Sequence, residues 1–456
     1  MNKIIQENIL KIKCIIILLS FFLITATIIK AQENVARKIN LQTAIELALE
    51  QNKALNISKL EVDKTHSKLT EARSNLLPKI NASGQYTNNI KKPVIFLPPG
   101  TPFSRPGQPA IMEIGSDHSY SGIISASLPV FSYPIYIGMS MANTGKDLAE
   151  ETFRGTKFKT IADVKKSFYG VLLSREVKNL MIASLKNAND NFENVRKMQK
   201  QGLVSEYDLI RAEVQVENVK PIALQAENNY ELAKNSFKIA LGLDASVNID
   251  IDGELDYKQT ETPNFTRTVE VLDQNNSDIK QLQYHVDIAK SMINLERSGH
   301  LPTLAAFGNY QYQTQANDLK FKDYNWVNTQ FVGLQLQIPI FNGWGTQAKI
   351  DQAKISYQQL LDRQNLLTEA VKIQAQNVIY RIEQGKKRID GQDKAIAQAE
   401  RGFEIAKSRY SNGLGTQLEV NDAELALTQS KVNYFQAVYD YNSAVAELEQ
   451  LLGNNF

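Results

Sequence analysis

The chain carries the same series of motifs twice, and this repetition restricts its possible folds more than any other feature of the sequence. The segment QGLVSEYDLIRAE at 201–213 corresponds to NGLGTQLEVNDAE at 412–424, an offset of 211 residues (412 − 201). An earlier motif, SLPVF at 127–131, corresponds to QIPIF at 337–341. Two copies are too few for a solenoid, which needs at least three repeats to bury a continuous core. We therefore predict a duplicated chain.

Each half is predicted to contain a helix, a strand, a loop, a second strand, a long helix, a tight turn and a returning helix. Apolar and polar residues alternate in four segments, which is typical of strands with one apolar face. These predicted strands are residues 79–90, 119–130, 303–313 and 326–338. The predicted boundaries are residues 32–242 for the first repeat, 243–266 for a linker and 267–456 for the second repeat.

The loop at 91–118 contains six of the chain's thirteen prolines, so it is predicted to be neither helix nor central strand. Residues 41–76, before the first strand, are predicted to be helical. In the first returning helix, Pro221 is predicted to cause a kink, because its counterpart in the second half is Val432.

Apolar residues elsewhere recur every three or four positions over unusually long stretches. Leu185, Ala188, Phe192 and Val195 follow this spacing, within a stretch from 136 to 200 that contains no proline. The spacing is typical of coiled-coil-like helices, and a helix of this length would extend ~100 Å. The fold class is therefore predicted to be mainly α, with a four-stranded antiparallel β contribution from each chain.

The first residues, 1–31, are predicted to be a secretory signal peptide. Lys11 and Lys13 precede an apolar run, Ile15–Ile29, which is short for a membrane-spanning helix. An uncleaved inner-membrane anchor is the alternative. The only cysteine, Cys14, lies in this segment, so we expect no disulfide in the mature chain. The formal net charge of +2 does not indicate nucleic-acid binding.

The four strands have the length needed to cross a bilayer as tilted β-strands. A sheet that covers a soluble core is the alternative. Three observations favour the membrane: the export signal, polar strand faces with little charge, and aromatic residues at the strand ends. These membrane-interface aromatics are Phe131, Trp326, Phe341 and Trp344. Four strands cannot close a spanning barrel, so we expect the chain to form an oligomer in outer-membrane lipid.

The order of these motifs, together with ARSNLLPKI, IPIFNGWG and the two paired turns, resembles the TolC family of outer-membrane efflux proteins. The resemblance covers nearly the whole mature chain. It implies a homotrimer with a 12-stranded transmembrane β-barrel, continued by an α-helical barrel through the periplasm. It further implies a periplasmic adaptor protein, an inner-membrane pump and the function of an exit duct. A periplasmic scaffold or adaptor is the competing class, although adaptors have one helical hairpin where this chain has two.

No constellation of residues indicates an enzyme, a metal site or a cofactor. The four histidines, which are His66, His118, His285 and His300, lack metal-ligand spacing, and no serine lies in a nucleophile elbow. The candidate functional residues lie instead at the two tight turns. Those expected to form the turns and to contact an adaptor are Gly202, Leu203, Ser205, Gly413, Leu414 and Thr416.

Charged residues beside the turns are predicted to control selectivity and gating. Glu419 and Asp422 share a helix face, and the resemblance places them near the narrow periplasmic end of the duct; a solvated outer helix face is the alternative. The resemblance also implies a gate in which a tyrosine, an aspartate and an arginine are bonded. Tyr410 and Asp208 match the first two, but Gly415 occupies the position of the arginine.

Overall fold

The structure is a computed structural model that describes residues 37–97, 110–259, 261 and 264–453. The predicted signal peptide, Cys14 and residues 98–109 of the proline-rich loop lie outside these residues. The described part of the chain is mainly helical. No helix among the described residues combines the length and the apolar character that crossing a membrane requires.

The elements are numbered in chain order. The strands are β1 (Arg37–Ile39), β2 (Lys79–Asn88), β3 (Val94–Leu97), β4 (Ala110–Glu113), β5 (His118–Phe131), β6 (Ile249–Ile251), β7 (Thr303–Ala316) and β8 (Val327–Gln337). The helices are α1 (Leu41–Gln51), α2 (Lys53–Ser74), α3 (Tyr133–Lys200), α4 (Glu206–Leu241), α5 (Phe265–Asn275), α6 (Ser277–Arg297), α7 (Gly345–Ser411) and α8 (Gln417–Leu452).

The chain divides into two compact units. The first, here called the turn unit, comprises residues 1–52, 163–260 and 384–443. The second, the sheet unit, comprises residues 53–162, 261–383 and 444–456. Each unit combines segments from both predicted repeats, because compactness groups residues by contact and not by sequence order. The repeat boundaries therefore stay a prediction.

The sheet unit contains a four-stranded antiparallel sheet with the order β2-β5-β7-β8. The sequence located all four strands to within three residues at each end. Register pairs even-numbered residues with even-numbered residues, as in Ala82 with Ile124, Ile124 with Tyr310 and Ala306 with Leu334. The apolar positions of all four strands consequently lie on one face. Pro129 is tolerated in the inner strand β5 because it lies beside a bulge, where the register shifts.

A short antiparallel ribbon, β3 with β4, lies in the segment that was predicted to be an irregular loop. Prolines precede and follow the VIFL segment of β3 but do not interrupt it, so the strand can pair. At the base of the ribbon, Lys92 forms an ion pair with Asp117 at 3.3 Å. Both residues also bond Asn317 Oδ1, through Lys92 Nζ at 2.9 Å and the Asp117 N–H at 3.0 Å.

In the helical part of the sheet unit, buried and half-buried polar side chains bond the backbone at helix ends. Arg154 bonds the Glu151 carboxylate and donates from Nη2 to the Asn275 carbonyl at 2.5 Å. The Asn276 side chain caps α6 and donates to the Leu451 carbonyl at 2.9 Å. These bonds satisfy backbone groups that helix ends leave without partners.

In the turn unit, β1 pairs in parallel with β6. Phe168 and Phe237 pack edge to face beneath them, with ring centroids 5.8 Å apart. Gly242 ends α4 with φ +77°, and a Cβ there would lie 2.4 Å from the Gln51 carbonyl oxygen, so only glycine fits. The predicted helix at 41–76 is interrupted at Asn52, whose side chain donates to the Ala240 carbonyl.

The two long helices are continuous, with 68 residues in α3 and 67 in α7. Each is followed by a turn and a 36-residue helix, α4 or α8. Of the predicted apolar seam, Ala188 and Val195 are buried, and Leu185 and Phe192 are half-buried. Pro221 lies inside α4, which continues past it; the kink stays a prediction.

Candidate functional site

The first turn, between α3 and α4, is closed by backbone and side-chain bonds. Gly202 adopts φ +72°, which lets the Leu203 N–H reach the Met198 carbonyl at 2.9 Å. Ser205 begins α4 as its N-cap and forms a capping box with Asp208. The Asp208 N–H donates to Ser205 Oγ at 3.2 Å, and the Ser205 hydroxyl donates to Asp208 Oδ2 at 2.7 Å. Asp208 therefore stabilises the start of its own helix.

The second turn, between α7 and α8, has the same backbone form but a different charge arrangement. Gly413 adopts φ +71°, and the Leu414 N–H donates to the Arg409 carbonyl at 2.9 Å. Thr416 Oγ1 accepts from the Glu419 N–H at 3.3 Å, as an N-cap does. The Glu419 carboxylate lies 3.9 Å from Arg409 Nε, and Arg409 Nη2 donates to the Leu414 carbonyl at 3.0 Å.

Of the two predicted selectivity residues, Glu419 is half exposed and Asp422 is exposed. Three positions separate them on α8, so they lie on the same face of that helix. The direction in which they face in an assembly stays a prediction.

The predicted gate residues Tyr410 and Asp208 are electrostatically coupled but not bonded. Among the described residues, the buried Tyr410 hydroxyl oxygen has no hydrogen-bond partner. Burial, and then the negative charge of Asp208, raise the pKa of Tyr410 above its usual value. The Asp208 carboxylate is instead used by Ser205. The cap bonds involve only Asp208 Oδ2, so a Tyr410–Asp208 bond would need the two side chains to approach and would not need Asp208 to leave the cap.

Apolar side chains are presented at both turns. Leu203 is 66% exposed and Leu414 is 72% exposed. Tyr207 and Leu418, in the first turns of the following helices, are exposed as well. Exposed apolar residues that cluster at a helix turn are typical of surfaces that contact another protein.

Arg409 and Glu424 are functional candidates that the sequence patterns did not identify. A comparison of the two halves would have identified Arg409, because the equivalent residue, 211 positions earlier, is the uncharged Met198. The positive charge at this position is therefore specific to the second turn. Glu424 accepts a bond from Asn187 Nδ2 at 3.1 Å. No pattern within either helix signals this pair, because it joins residues far apart in sequence.

The apolar face of the sheet is the second candidate surface. Val332 is 89% exposed and Leu334 is 69% exposed, and Ile80, Ile124 and Leu336 are also exposed. The face is apolar over the half of the sheet that includes these residues. Toward the Trp326 end it also carries polar residues, which are Asn88, His118, Thr314, Asn328 and Gln330. An exposed apolar surface that extends over several strands is typical of a surface that meets lipid or another protein.

Aromatic rings lie at both ends of the sheet; their place at membrane interfaces stays a prediction. At one end Trp326 stacks on Tyr312, with centroids 5.0 Å apart, and contacts Phe321. Three further rings, those of Tyr86, Tyr120 and Tyr324, continue this cluster. At the other end Phe341 packs edge to face with Trp344, and Phe131 ends β5.

Trp344 has φ +68° and is the only non-glycine residue with positive φ in the described part of the chain. A bulky residue seldom adopts this conformation, which is sterically costly. Its backbone therefore marks a specialised position just before α7. Within the described ranges, no group of three or more His, Cys, Asp or Glu side chains is arranged to hold a metal ion.

Comparison with known proteins defines the class to which this fold belongs. Residues 44–243 and 269–454 match the family model described as outer membrane efflux protein. The chain belongs to this family.

Individual relatives and solved structures agree with this assignment. The outer membrane protein TolC of Vibrio cholerae is 23% identical over 396 residues, which cover 86% of this chain and 85% of that protein. The proteases secretion protein PrtF of Dickeya chrysanthemi is 22% identical, with 88% and 87% covered. The CmeC outer membrane channel of Campylobacter jejuni has a similar fold, with a TM-score of 0.75, 18% identity, and 93% of this chain and 86% of that chain covered.

Proposed function

We propose that this protein is the outer-membrane exit duct of a tripartite efflux or type I secretion system. It would conduct substrates passively from an inner-membrane pump to the cell exterior. The observation that carries the proposal is the four-stranded sheet with one largely apolar face, in a chain whose family is that of outer membrane efflux proteins. Related proteins named as secretion proteins and as efflux outer membrane proteins support both kinds of system.

The two edge strands of the sheet support the proposal of a homotrimer. In the order β2-β5-β7-β8, strand directions alternate, so the edge strands β2 and β8 run in opposite directions. In the described residues neither edge strand has a second partner. Strand β8 of one copy could therefore pair in antiparallel with β2 of the next. Three copies give 3 × 4 = 12 strands and no free edge, which a lipid environment requires.

The turns would form the periplasmic end of the duct. The exposed Leu203 and Leu414 side chains suit contact with a periplasmic adaptor protein. Glu419 and Asp422 would give 2 × 3 = 6 carboxylates around one constriction, which favours cations and repels anions. Closing would involve bonds from Tyr410 to Asp208, in the same copy or in a neighbouring one.

The proposal is tested by assembly and conductance together. We expect the protein in the outer-membrane fraction as a heat-modifiable trimer that forms channels in planar bilayers. Glu419→Ala with Asp422→Ala should remove block by hexaamminecobalt(III) and reduce cation selectivity, without loss of assembly, because exposed charges contribute little to stability. A protein found only in the soluble periplasm would instead support the scaffold or adaptor class. Unchanged block in the double variant would mean that these carboxylates face outward.

A further inference from the structure

The two turns use equivalent acidic residues in different ways. Asp208 and Glu419 each stand three residues after the N-cap, at Ser205 and Thr416 respectively. The Asp208 carboxylate is bonded within its capping box. The Glu419 carboxylate lies beside the guanidinium of Arg409, which comes from the preceding helix. The charge of the second turn is therefore compensated from α7, whereas the first turn has Met198 in the position of Arg409.

Gly415 provides the space for this arrangement. A Cβ at this residue would lie 3.0 Å from Glu419 Oε2 and 3.2 Å from the Cβ of Arg409. Contacts this short would press on both members of the pair. In the first turn the corresponding residue is Val204, and no arginine stands there to be accommodated. The glycine and the arginine thus occur together in one turn and are both replaced in the other.

The position of the Arg409 charge does not depend on Glu419 alone. Its Nη2 atom donates to the Leu414 carbonyl at 3.0 Å, which holds the guanidinium against the turn. The ion pair itself is half exposed, at 3.9 Å, and contributes little to stability. Its importance is electrostatic, because fixed charges at a constriction determine which ions accumulate there.

We propose that Arg409 is a specificity-determining residue, which weakens the preference of the periplasmic constriction for cations. The inference rests on the proposed function, since it requires the trimer to bring the turns together. Three copies of Arg409 then stand among the six carboxylates of Glu419 and Asp422 and reduce the formal charge of this second-turn set from −6 to 6 × (−1) + 3 × (+1) = −3. The first-turn equivalents of these two acidic residues are Asp208 and Arg211, whose formal charges cancel. The duct consequently admits anionic and neutral substrates that a ring of uncompensated carboxylates would disfavour.

The test is single-channel recording of Arg409→Gln in planar bilayers at about 0.1 M KCl. We expect the affinity for hexaamminecobalt(III) block to rise about tenfold, since a trivalent ion responds strongly to nearby charges that 0.1 M salt screens only partly. The reversal potential in a KCl gradient should shift toward that of K⁺. Both changes should shrink at 1 M KCl, where the screening length is about 3 Å. Gly415→Ala should produce a smaller shift of the same sign.

The matched control is Arg196→Gln, which removes an exposed arginine paired with Glu193 at 3.3 Å on α3. It should leave block and reversal potential unchanged. An equal effect of Arg196→Gln would show a general surface-charge effect and overturn the assignment to Arg409. Unchanged block in Arg409→Gln, where the Glu419 and Asp422 double variant does alter it, would overturn the inference and leave the proposed function intact. A wild-type protein that forms no channel would overturn both.

Discussion

Glu424 is a partly buried carboxylate in a chain whose other acidic residues are mostly exposed. It lies beside a cavity of about 220 Å³ among helices α3, α4 and α8 of the turn unit. Burial raises the pKa of Glu424, and this effect outweighs the Asn187 hydrogen bond and the Lys407 charge, which lower it. A carboxyl group in such a position makes helix packing sensitive to pH.

Glu424→Gln should therefore change the pH dependence of stability. The folded state binds the Glu424 proton more tightly than the unfolded chain does. The contribution of the Glu424 proton to stability is thus fully present below the ordinary pKa of 4.5. It is lost as the pH rises through the higher pKa that Glu424 has in the folded state. We expect the variant to match wild type at pH 4 and to melt about 1–3 °C higher at pH 8.

Differential scanning calorimetry of the solubilised protein across this range measures the effect. Glu213→Gln is the matched control, since Glu213 is the exposed equivalent 211 positions earlier. A constant difference in melting temperature at every pH would contradict the assignment to Glu424.

Tyr410 provides a second residue-level prediction. Its hydroxyl is shielded and has no described partner, so it is available to bond Asp208 in the proposed gate. Tyr410→Phe should raise the open probability about fivefold for each bond lost, since one hydrogen bond contributes about 1 kcal/mol. Selectivity should not change.

Single-channel recording compares this variant with Tyr207→Phe, which alters an exposed tyrosine of α4. Unchanged gating of Tyr410→Phe, combined with a higher melting temperature, would show that the hydroxyl stays unpaired.

At the level of elements, two sequence patterns predicted most of the strands and helices. These are the alternation of apolar and polar residues in strands and the recurrence of apolar residues every three or four positions in helices, and each depends only on residues that are close in sequence. The sheet faces followed from side-chain alternation, as in Ala306 and Leu334, and the helices followed from the apolar seam. The β3–β4 ribbon was missed because proline content was counted over the whole loop, while pairing depends on where each proline lies. The break at Asn52 was missed because it depends on a bond to Ala240, which is distant in sequence.

Strand β8 offers the sharpest test of the membrane face. Leu334 and Leu336 lie on the apolar face, and Gln335 and Gln337 lie on the opposite one. Aspartate at Leu334 or Leu336 should reduce the amount of assembled trimer, because a charge facing lipid is costly, although somewhat less than the ~2–4 kcal/mol of Lys or Arg.

Aspartate at Gln335 or Gln337 should be tolerated, because that face would border water. Quantification of the heat-modifiable trimer in outer-membrane fractions measures all four variants. Equal loss on both faces would contradict the barrel assignment.

For the whole molecule, the sequence predicted the class but not the charge pairing at the turns. The motifs that carry the family resemblance are backbone requirements, such as Gly202 and Gly413 with positive φ, and these can be recognised in one chain. The Arg409–Glu419 pair and the Asn187–Glu424 bond depend on which helix faces meet. The spacing of apolar residues within one helix does not determine which of its faces meets another helix. Local rules therefore predicted the elements, and only three-dimensional packing revealed the interactions between them.

The central pairing of the sheet has a consequence for the order of folding. Strand β5 pairs with β7, which joins His118 to Ala316 at one end and Phe131 to Leu304 at the other. The outer pairs have much shorter connections, residues 89–117 between β2 and β5 and residues 317–326 between β7 and β8, and can form earlier. The central pair must wait until α3 and α4 have returned the chain, because closing so long a loop costs entropy that no local contact repays. Until then, the chain has two separate hairpins whose unpaired edges are open to misassembly.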